Sequence, residues 1–82
     1  MYYVYVLKLD NDQIYVGYTS DLERRYKEHK NKQSTFTSKH EIELVYYEAY
    51  KSKEDATRRE AKLKQRGNAK RFLKERIAKS LE

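Results

Sequence analysis

The first eighteen residues constrain the fold more than any other part of this 82-residue chain. Residues 2–9 read YYVYVLKL, a run of β-branched and aromatic residues with no helical period, and residues 14–18 read IYVGY. Two such runs predict β-strands, and the turn-forming Asn11 and Asp12 between them predict a β-hairpin. Because the first strand is apolar on both faces, we expect helices to cover both sides of its sheet.

Capping signals predict three helices. Residues 20–23 read SDLE, a capping box that opens a helix running to about Lys30. Ser52 opens a second helix in the same way, and Gly67 is placed to end it in the left-handed conformation. Asn68 can then cap a third helix, whose apolar stripe consists of Phe72, Leu73, Ile77 and Leu81.

The order of the elements predicts the fold class. A polar loop at 31–41 precedes a third strand at 42–50, which gives the order ββαβαα without repeats or proline. We therefore expect residues 1–82 to form a single α+β domain, with a small three-stranded, mostly antiparallel sheet flanked by three helices. The absence of cysteine excludes a disulfide scaffold. With no signal-peptide pattern and no membrane-spanning run, a cytoplasmic protein without a membrane partner is the default expectation.

Positive charge is concentrated in the second half of the chain. The net charge is +6, and residues 58–76 contain only two acids, Glu60 and Glu75. A basic face of this kind suits a phosphate backbone, although a solvated helix face is the alternative interpretation. The cations of this run are Arg58, Arg59, Lys62, Lys64, Arg66, Lys70, Arg71, Lys74 and Arg76.

Glu60 is the one acid between Ala56 and Lys74. In a helix it lies four residues after Ala56 and three before Leu63, so it shares their apolar stripe. A salt bridge to Arg59 or Lys64 would explain it structurally. A metal ion held beside a phosphate would explain it functionally.

Two further polar residues lie on an apolar stripe, that of the first helix, which consists of Leu22, Arg25, Tyr26 and His29. Burial of an unpaired arginine is costly, so Arg25 either lies at the stripe edge or pairs with Glu41 or Glu43. His29 can be a hydrogen-bonded residue near the helix C-terminus, where imidazolium is favoured. Both residues are also candidates for a functional site.

Gly17 is the one glycine inside a predicted strand, which indicates either a bulge or the close approach of a ligand or another backbone. Tyr5 and Tyr15 can share a site beside it only if the numbers of paired residues sum to an even value. A two-residue loop would separate the two tyrosines. We therefore expect a longer loop or a bulge, with Tyr5 opposite Gly17 and Tyr15 opposite Leu7.

Four segments in order resemble the GIY-YIG nuclease family, and the resemblance covers essentially the whole chain. The segments are Val4-Tyr5-Val6, Tyr15-Val16-Gly17, LERRYKEH at 22–29 and RREAKLK at 58–64. The likeness is to small stand-alone bacterial members, kin to the nuclease domain of an excision-repair subunit. Two positions depart from the pattern. Tyr3 replaces a glycine, and Phe72 replaces an asparagine found in many catalytic members, for which Asn68 is the nearest substitute.

The resemblance implies hydrolysis of phosphodiester bonds in DNA with one metal ion. Glu60 would hold Mg²⁺ or Mn²⁺, with waters and a phosphate oxygen as the other ligands. Arg25 would stabilise charge on the phosphoryl oxygens. Tyr5, Tyr15 or His29 would orient or deprotonate the attacking water, and the sequence does not assign this role to one of them.

The expected partner is DNA, in branched or single-stranded form, with a repair-related role and a protein partner that supplies specificity. The residues predicted to contact the nucleic acid are Gly17, Lys62, Lys64, Arg66, Lys70, Arg71 and Lys74. Two other classes remain open. One is a non-catalytic nucleic-acid-binding module with the same fold, and the other is a single-stranded RNA binder that stacks bases on an uncovered, tyrosine-rich sheet face.

Overall fold

The structure, a computed structural model, describes residues 1–32, 37–65 and 67–82, and confirms the predicted α+β fold and the order ββαβαα. The elements are β1 (Tyr2–Leu9), β2 (Ile14–Thr19), α1 (Leu22–Lys30), β3 (Ile42–Tyr50), α2 (Lys53–Lys64) and α3 (Asn68–Arg76).

The hairpin loop is longer than two residues, as expected from the need to bring two tyrosines together. The Leu9 amide donates to the Gln13 carbonyl at 2.8 Å, so the loop comprises residues 10–12. Asp12 closes the loop at φ 66°, and its amide donates to the Leu9 carbonyl at 3.0 Å. A turn followed by one left-handed residue is the usual three-residue hairpin connection.

The register of the hairpin is the predicted one. Both strand pairs are antiparallel, the sheet order is β2-β1-β3, and Tyr5 lies opposite Gly17 while Leu7 lies opposite Tyr15. No bulge interrupts β2 at Gly17; the one irregularity in the sheet falls between β1 and β3, at Val6 and Leu7. The bulge interpretation of Gly17 is therefore wrong.

Helices cover both faces of the sheet, as the apolar character of β1 predicts. One face packs against α2 and α3 through a core of Val4, Val6, Val16, Ala56, Leu63, Leu73 and Ile77. The opposite face forms a second core of Tyr5, Leu7, Leu9 and Ile42, against which Leu22 and Tyr26 of α1 pack. No helix within the described ranges is long and apolar enough to cross a membrane.

Two of the predicted helix ends, the start of α1 and the end of α2, differ from the observed ones. The cap of α1 is Asp21, not Ser20, and its carboxylate accepts a hydrogen bond from the Arg24 amide at 3.1 Å. Ser52 does cap α2, but α2 ends at Lys64 without a left-handed glycine. Gly67 instead precedes α3 at φ 152°, a conformation that residues with a Cβ rarely adopt.

The start and the apolar stripe of α3 also differ from prediction. Asn68 is the first helical residue and does not cap the helix. Leu73 and Ile77, four residues apart, form the buried row of α3, whereas Phe72 is 54% exposed. Leu73 and Phe72 are adjacent in sequence and therefore point in different directions from the helix axis. The side of α3 that carries Leu73 packs against the core, and Phe72 is directed away from it.

Candidate active site

The site is built around Tyr5, which is 2% exposed and lies on the face of the sheet covered by α1. A Cβ at Gly17 would lie 2.3 Å from the Tyr5 hydroxyl oxygen, well inside van der Waals contact. Glycine at this position therefore makes room for the Tyr5 ring across the strand pair. The predicted close approach is real, but the approaching group is a side chain of the same sheet.

His29 links Tyr5 to the loop after α1. Its Nε2 lies 2.9 Å from the Tyr5 hydroxyl and its Nδ1 lies 2.7 Å from the Thr37 hydroxyl. His29 and Thr37 are both completely buried. A neutral imidazole donates through one nitrogen and accepts through the other, so both hydrogen bonds are satisfied without a charge. Among the described residues, Tyr5 and Thr37 therefore occupy both ring nitrogens of His29.

Arg25 joins the two tyrosines at the open side of this cluster. Its Nε donates to the Tyr5 hydroxyl at 3.4 Å, and its guanidinium also hydrogen-bonds to Tyr15. Its Nη1 pairs with Glu28 at 3.0 Å, so the predicted partners Glu41 and Glu43 are wrong. The Arg25 side chain remains 32% exposed and can contact a ligand from solvent.

The rings of Tyr5, Tyr15 and His29 pack together, which confirms that the two tyrosines lie on the same face of the sheet. The centroids of Tyr5 and Tyr15 are 6.3 Å apart, and those of Tyr15 and His29 are 5.3 Å apart. Tyr15 lies on β2, an edge strand of the sheet, and is only half-buried. It is the member of this ring cluster that faces solvent most.

Glu60 lies on α2 and is connected to the ring cluster through Lys64. Its carboxylate pairs with Lys64 at 3.1 Å, and the Lys64 ammonium lies 5.8 Å from the centre of the Tyr15 ring. The charge of Glu60 also acts on Tyr5. Of the two structural partners considered for Glu60, Lys64 is the one observed, and this pair lies beside the tyrosines rather than away from them.

Burial controls the protonation of the inner residues. Burial, together with Tyr15 and Glu60, raises the pKa of Tyr5 to about 12, against the opposing effect of the Arg25 hydrogen bond. Burial and the charge of Arg25 hold the pKa of His29 below its ordinary value, so imidazolium is disfavoured despite the helix C-terminus. For Arg25, burial opposes ionisation, but hydrogen bonds to Tyr5 and Glu28 raise its pKa. Tyr5 and His29 are therefore neutral and Arg25 is charged at pH 7.

The donor set at Glu60 fits a hard divalent cation that keeps most of its waters. The described residues contain no group of three histidine, cysteine or carboxylate side chains arranged to hold a metal. One carboxylate, water and phosphate oxygens are a common set for Mg²⁺, which needs no complete protein cage. In the structure, the Lys64 ammonium forms an ion pair with this carboxylate.

The predicted nucleic-acid contacts fall on two surfaces. Lys64 and Lys70 line a groove of about 310 Å³ together with Tyr15, next to the ring cluster. Lys62, Arg71 and Lys74 are exposed, and neither they nor Lys70 form an ion pair with another described residue. Gly17 is buried against Tyr5, and Arg66 lies outside the described residues.

Thr37 and Glu28 are site residues that the sequence did not reveal. Thr37 lies in the polar loop between α1 and β3, where nothing in its neighbours distinguishes it from a solvent-exposed threonine. Glu28 lies three residues after Arg25 on α1, a spacing that places both on one helical surface and could have identified the pair.

The sheet lacks the open tyrosine-rich face that single-stranded RNA binding would need. Of the strand tyrosines, Tyr47 is 53% exposed, while the others are buried or half-buried. Stacking of successive bases requires several accessible rings on one surface. This arrangement disfavours the RNA-binding alternative.

Comparison with known proteins identifies the family of this chain. The sequence model of the GIY-YIG catalytic domain matches residues 1–74. A UPF0213 protein of Streptococcus agalactiae is 39% identical over 66 residues, covering 78% of this chain and 75% of the relative. A UPF0213 protein of Natronomonas pharaonis is 38% identical over 72 residues and covers 85% of each chain.

A solved structure shows the same fold. The solution NMR structure of a UPF0213 protein from Bacillus halodurans matches with a TM-score of 0.60 and 33% identity, covering 94% of this chain and 87% of that one. The family match extends over the segments that hold Tyr5, Tyr15, Arg25, His29 and Glu60. The chain therefore belongs to the GIY-YIG family, and its relatives include the small UPF0213 proteins.

Proposed function

We propose that this chain is an endonuclease that hydrolyses phosphodiester bonds in DNA with one Mg²⁺ or Mn²⁺ ion. The observation that carries the proposal is the convergence of Tyr5, Tyr15, Arg25 and His29 in one cluster, with Glu60 beside it. These side chains come from four different elements, β1, β2, α1 and α2, of which only α2 is distant in sequence from the others. A structural role alone does not require an arginine, two tyrosines and a carboxylate to lie side by side.

Arg25 binds the scissile phosphate in this proposal. It is charged at pH 7, partly exposed, and held in place by Tyr5 and Glu28. Its planar guanidinium can donate two parallel hydrogen bonds to the phosphoryl oxygens, where negative charge accumulates in the transition state. The Tyr5–His29–Thr37 chain keeps Arg25 in this orientation from the buried side.

Tyr15 is the residue that contacts the attacking water. Of the three candidates, Tyr5 has a pKa raised to about 12, and His29 is buried with both ring nitrogens hydrogen-bonded. Neither readily carries the charge that direct proton abstraction requires. Tyr15 is half-buried on the edge strand and next to Arg25 and Lys64, so its hydroxyl can accept a hydrogen bond from water and orient it.

Glu60 would hold the metal ion. When bound there, a divalent cation would neutralise charge on the phosphate and lower the pKa of a bound water. Lys64 leaves the carboxylate in that state, and its ammonium is then free to pair with a neighbouring phosphate. Lys64 and Lys70 would guide the DNA backbone along the groove beside Tyr15.

The alternative is a DNA-binding module without cleavage, and one observation favours it. The position where many catalytic relatives carry an asparagine is Phe72, which points away from the core and is exposed. Incubation of the protein with branched, single-stranded and duplex DNA, in Mn²⁺ or in EDTA, separates the two functions. Cuts that appear with Mn²⁺ alone support the nuclease, whereas bound but intact DNA in both conditions supports the module.

Substrate and pathway follow from the same assay. A preference for branched DNA would support a structure-selective, repair-related role in the cytoplasm. Equal cutting of all substrates would indicate that a protein partner supplies the specificity.

The basic surface is tested separately by binding. Replacement of Lys62, Lys70 and Lys74 with glutamate should weaken binding of duplex and single strands alike and flatten its salt dependence, because phosphate contacts release counterions. The matched control replaces three exposed lysines outside the surface, Lys51, Lys53 and Lys79, with the same change in net charge. Equal affinity of the two triple variants would refute a localised DNA-binding surface.

A further inference from the structure

Phe72 lies in a groove between α2 and α3 that the proposed chemistry does not use. The groove has a volume of about 320 Å³ and is lined by Arg59, Lys62, Ala69, Phe72, Leu73 and Arg76. The Phe72 ring is 54% exposed, and the Arg71 guanidinium lies 5.2 Å from its centre. An exposed aromatic ring surrounded by guanidinium and ammonium groups has no role in the core of this protein.

The charge of the groove restricts its occupant. Lys62 forms no ion pair with a described residue, and Arg76 hydrogen-bonds to the neutral Tyr46 hydroxyl, so both keep an uncompensated positive charge. Arg59 is neutralised by Glu48, at 2.9 Å. The surface is therefore cationic around one aromatic ring. A second copy of a chain with net charge +6 would be repelled from it, whereas an anion with an aromatic base would be attracted.

The groove is next to the proposed DNA path. Lys70, on the first turn of α3, lines the groove that contains Tyr15, and the adjacent Ala69 lines the groove that contains Phe72. The same pair of helices thus separates the two grooves. A strand that crosses from one to the other passes over the α2–α3 junction.

We propose that the Phe72 groove binds one unpaired nucleotide of a DNA strand, with the base stacked on Phe72 and the flanking phosphates on Lys62 and Arg76. Base stacking on an aromatic ring is tolerant of sequence and requires a base that is not covered by a neighbouring pair. The subsite would therefore select branched or single-stranded DNA over blunt duplex. The inference rests on the proposed function in one respect, because it assumes that the bound strand continues to the groove beside Tyr15.

The test is the binding of fluorescein-labelled oligothymidylate, of about twelve nucleotides, measured by anisotropy in EDTA. Phe72→Ala should weaken this binding by about fivefold or more, and binding of a blunt duplex of the same length by less than about twofold. The matched control is Tyr47→Ala, since Tyr47 is 53% exposed but lies on β3 away from the basic surface. It should leave both affinities unchanged.

Equal affinities of Phe72→Ala and Tyr47→Ala for the single strand would overturn the subsite. An equal loss of affinity for single strand and duplex in Phe72→Ala would also overturn the subsite. Such a result would indicate a general basic surface, which does not distinguish the two forms of DNA. Binding of oligouridylate that is about fivefold or more tighter than binding of oligothymidylate would assign the subsite to RNA and overturn the DNA proposal. Both substituted positions are exposed, and matching melting temperatures would exclude misfolding.

A second variant reports stacking directly. The chain contains no tryptophan, so Phe72→Trp introduces a single tryptophan at the proposed contact. Its fluorescence should be quenched by oligothymidylate and not by inorganic polyphosphate, which carries the charge without the base. Equal quenching by both would overturn the stacking contact.

The outcome is separable from that of the proposed nuclease. Binding is measured without a metal ion, so a protein that never cleaves DNA can still show the Phe72 effect. A protein that cleaves DNA with full dependence on Mn²⁺, while Phe72→Ala binds single strands normally, would keep the proposed function and lose the subsite.

Discussion

Two carboxylates, Glu48 on β3 and Glu60 on α2, differ in the number of groups that form hydrogen bonds or ion pairs with them. Glu48 is 14% exposed and accepts two hydrogen bonds from the Arg59 guanidinium, at 2.9 and 3.0 Å. It also accepts from the Tyr46 and Tyr50 hydroxyls. Glu60 is 23% exposed and has one flexible lysine partner. Arg59 and Glu60 are adjacent in sequence, yet one completes a structural pair and the other lies at the site.

The difference distinguishes a carboxylate with a structural role from one that can still bind a ligand. Four donors saturate Glu48, and although burial opposes ionisation, those hydrogen bonds hold its pKa below the ordinary value. Among the described residues, Lys64 is the one that pairs with Glu60, and the carboxylate can therefore accept further ligands. The Lys64 side chain is about half exposed, so breaking this ion pair costs little free energy. We expect the first carboxylate to govern stability and the second to govern activity.

The largest expected effect is that of Glu60→Gln on cleavage. Loss of the charge that holds the cation should lower the rate by roughly 10³-fold, since metal ions supply several kcal/mol of charge stabilisation. DNA binding in EDTA should persist or tighten, because negative charge leaves the site. The melting temperature should change little, since the lost i,i+4 pair contributes about 0.5 kcal/mol or less.

Cleavage assays across an Mn²⁺ titration, with thermal melts of the same samples, check this prediction. The control is Glu54→Gln, an exposed acid at the other end of α2, which should behave as wild type. If Glu60→Gln lowers the melting temperature but leaves cleavage normal, Glu60 is not part of the active site. That result would also contradict most of the argument for a nuclease.

The next effect in size concerns the two partly buried arginines. Arg25→Lys retains the charge but not the planar fork, so cleavage should fall roughly 10²-fold in a protein that remains folded. Arg59→Lys should instead lower stability and leave the activity of the folded fraction unchanged. Steady-state kinetics and melting curves of both variants, with the exposed neighbour Arg24→Lys as a control, measure the contrast. Near-normal turnover in Arg25→Lys would make Arg25 a structural residue.

Glu48→Gln should produce the largest loss of stability. Its removal leaves the half-buried Arg59 without a counter-charge and weakens two tyrosine hydrogen bonds, at a cost of about 2 kcal/mol. For a domain of this size that corresponds to a melting temperature lower by roughly 10 °C. Urea unfolding of wild type, Glu48→Gln and Glu60→Gln gives the comparison. A smaller loss in Glu48→Gln than in Glu60→Gln would reverse the assignment of the two carboxylates.

The smallest expected effect is the pH dependence of stability due to His29. Because its pKa is lowered on folding, the unfolded chain binds the proton more readily than the folded one. The stabilising contribution is therefore fully present above about pH 6.5 and is lost as the pH falls below that value, by at most about 1.4 kcal/mol per pH unit. Because the pKa of Glu48 is lowered on folding, its stabilising contribution is lost only at lower pH, as the pH falls below the ordinary pKa of a glutamate.

Melting temperatures measured between pH 8 and pH 5 test the His29 prediction. The control is His40→Asn, which removes the other histidine, on the surface beside Asp10, and should keep the slope between pH 6.5 and 5. A flat profile in this window for the wild-type protein would contradict the assignment.

Much of the fold and part of the site follow from local patterns. The parity of the hairpin register was predictable from the requirement that Tyr5 and Tyr15 share a face, and the three-residue loop satisfies it. The helical stripe of α1 placed Arg25 and His29 towards the sheet. The partners of these residues were not predictable, because Glu28, Thr37 and Lys64 are ordinary polar residues whose proximity depends on packing.

Sequence alone determined which segments form strands and helices, since periodicity acts over a few residues, but it misplaced the start of α1, the end of α2 and the start of α3. It also determined that Arg25, His29 and Glu60 lie on apolar stripes. Only the tertiary structure decided that Gly17 makes room for Tyr5, that Phe72 is exposed, and that Arg59 pairs with Glu48 and not with Glu60. These outcomes depend on which surfaces α2 and α3 present to the sheet and to each other, and such contacts between distant segments have no local signature.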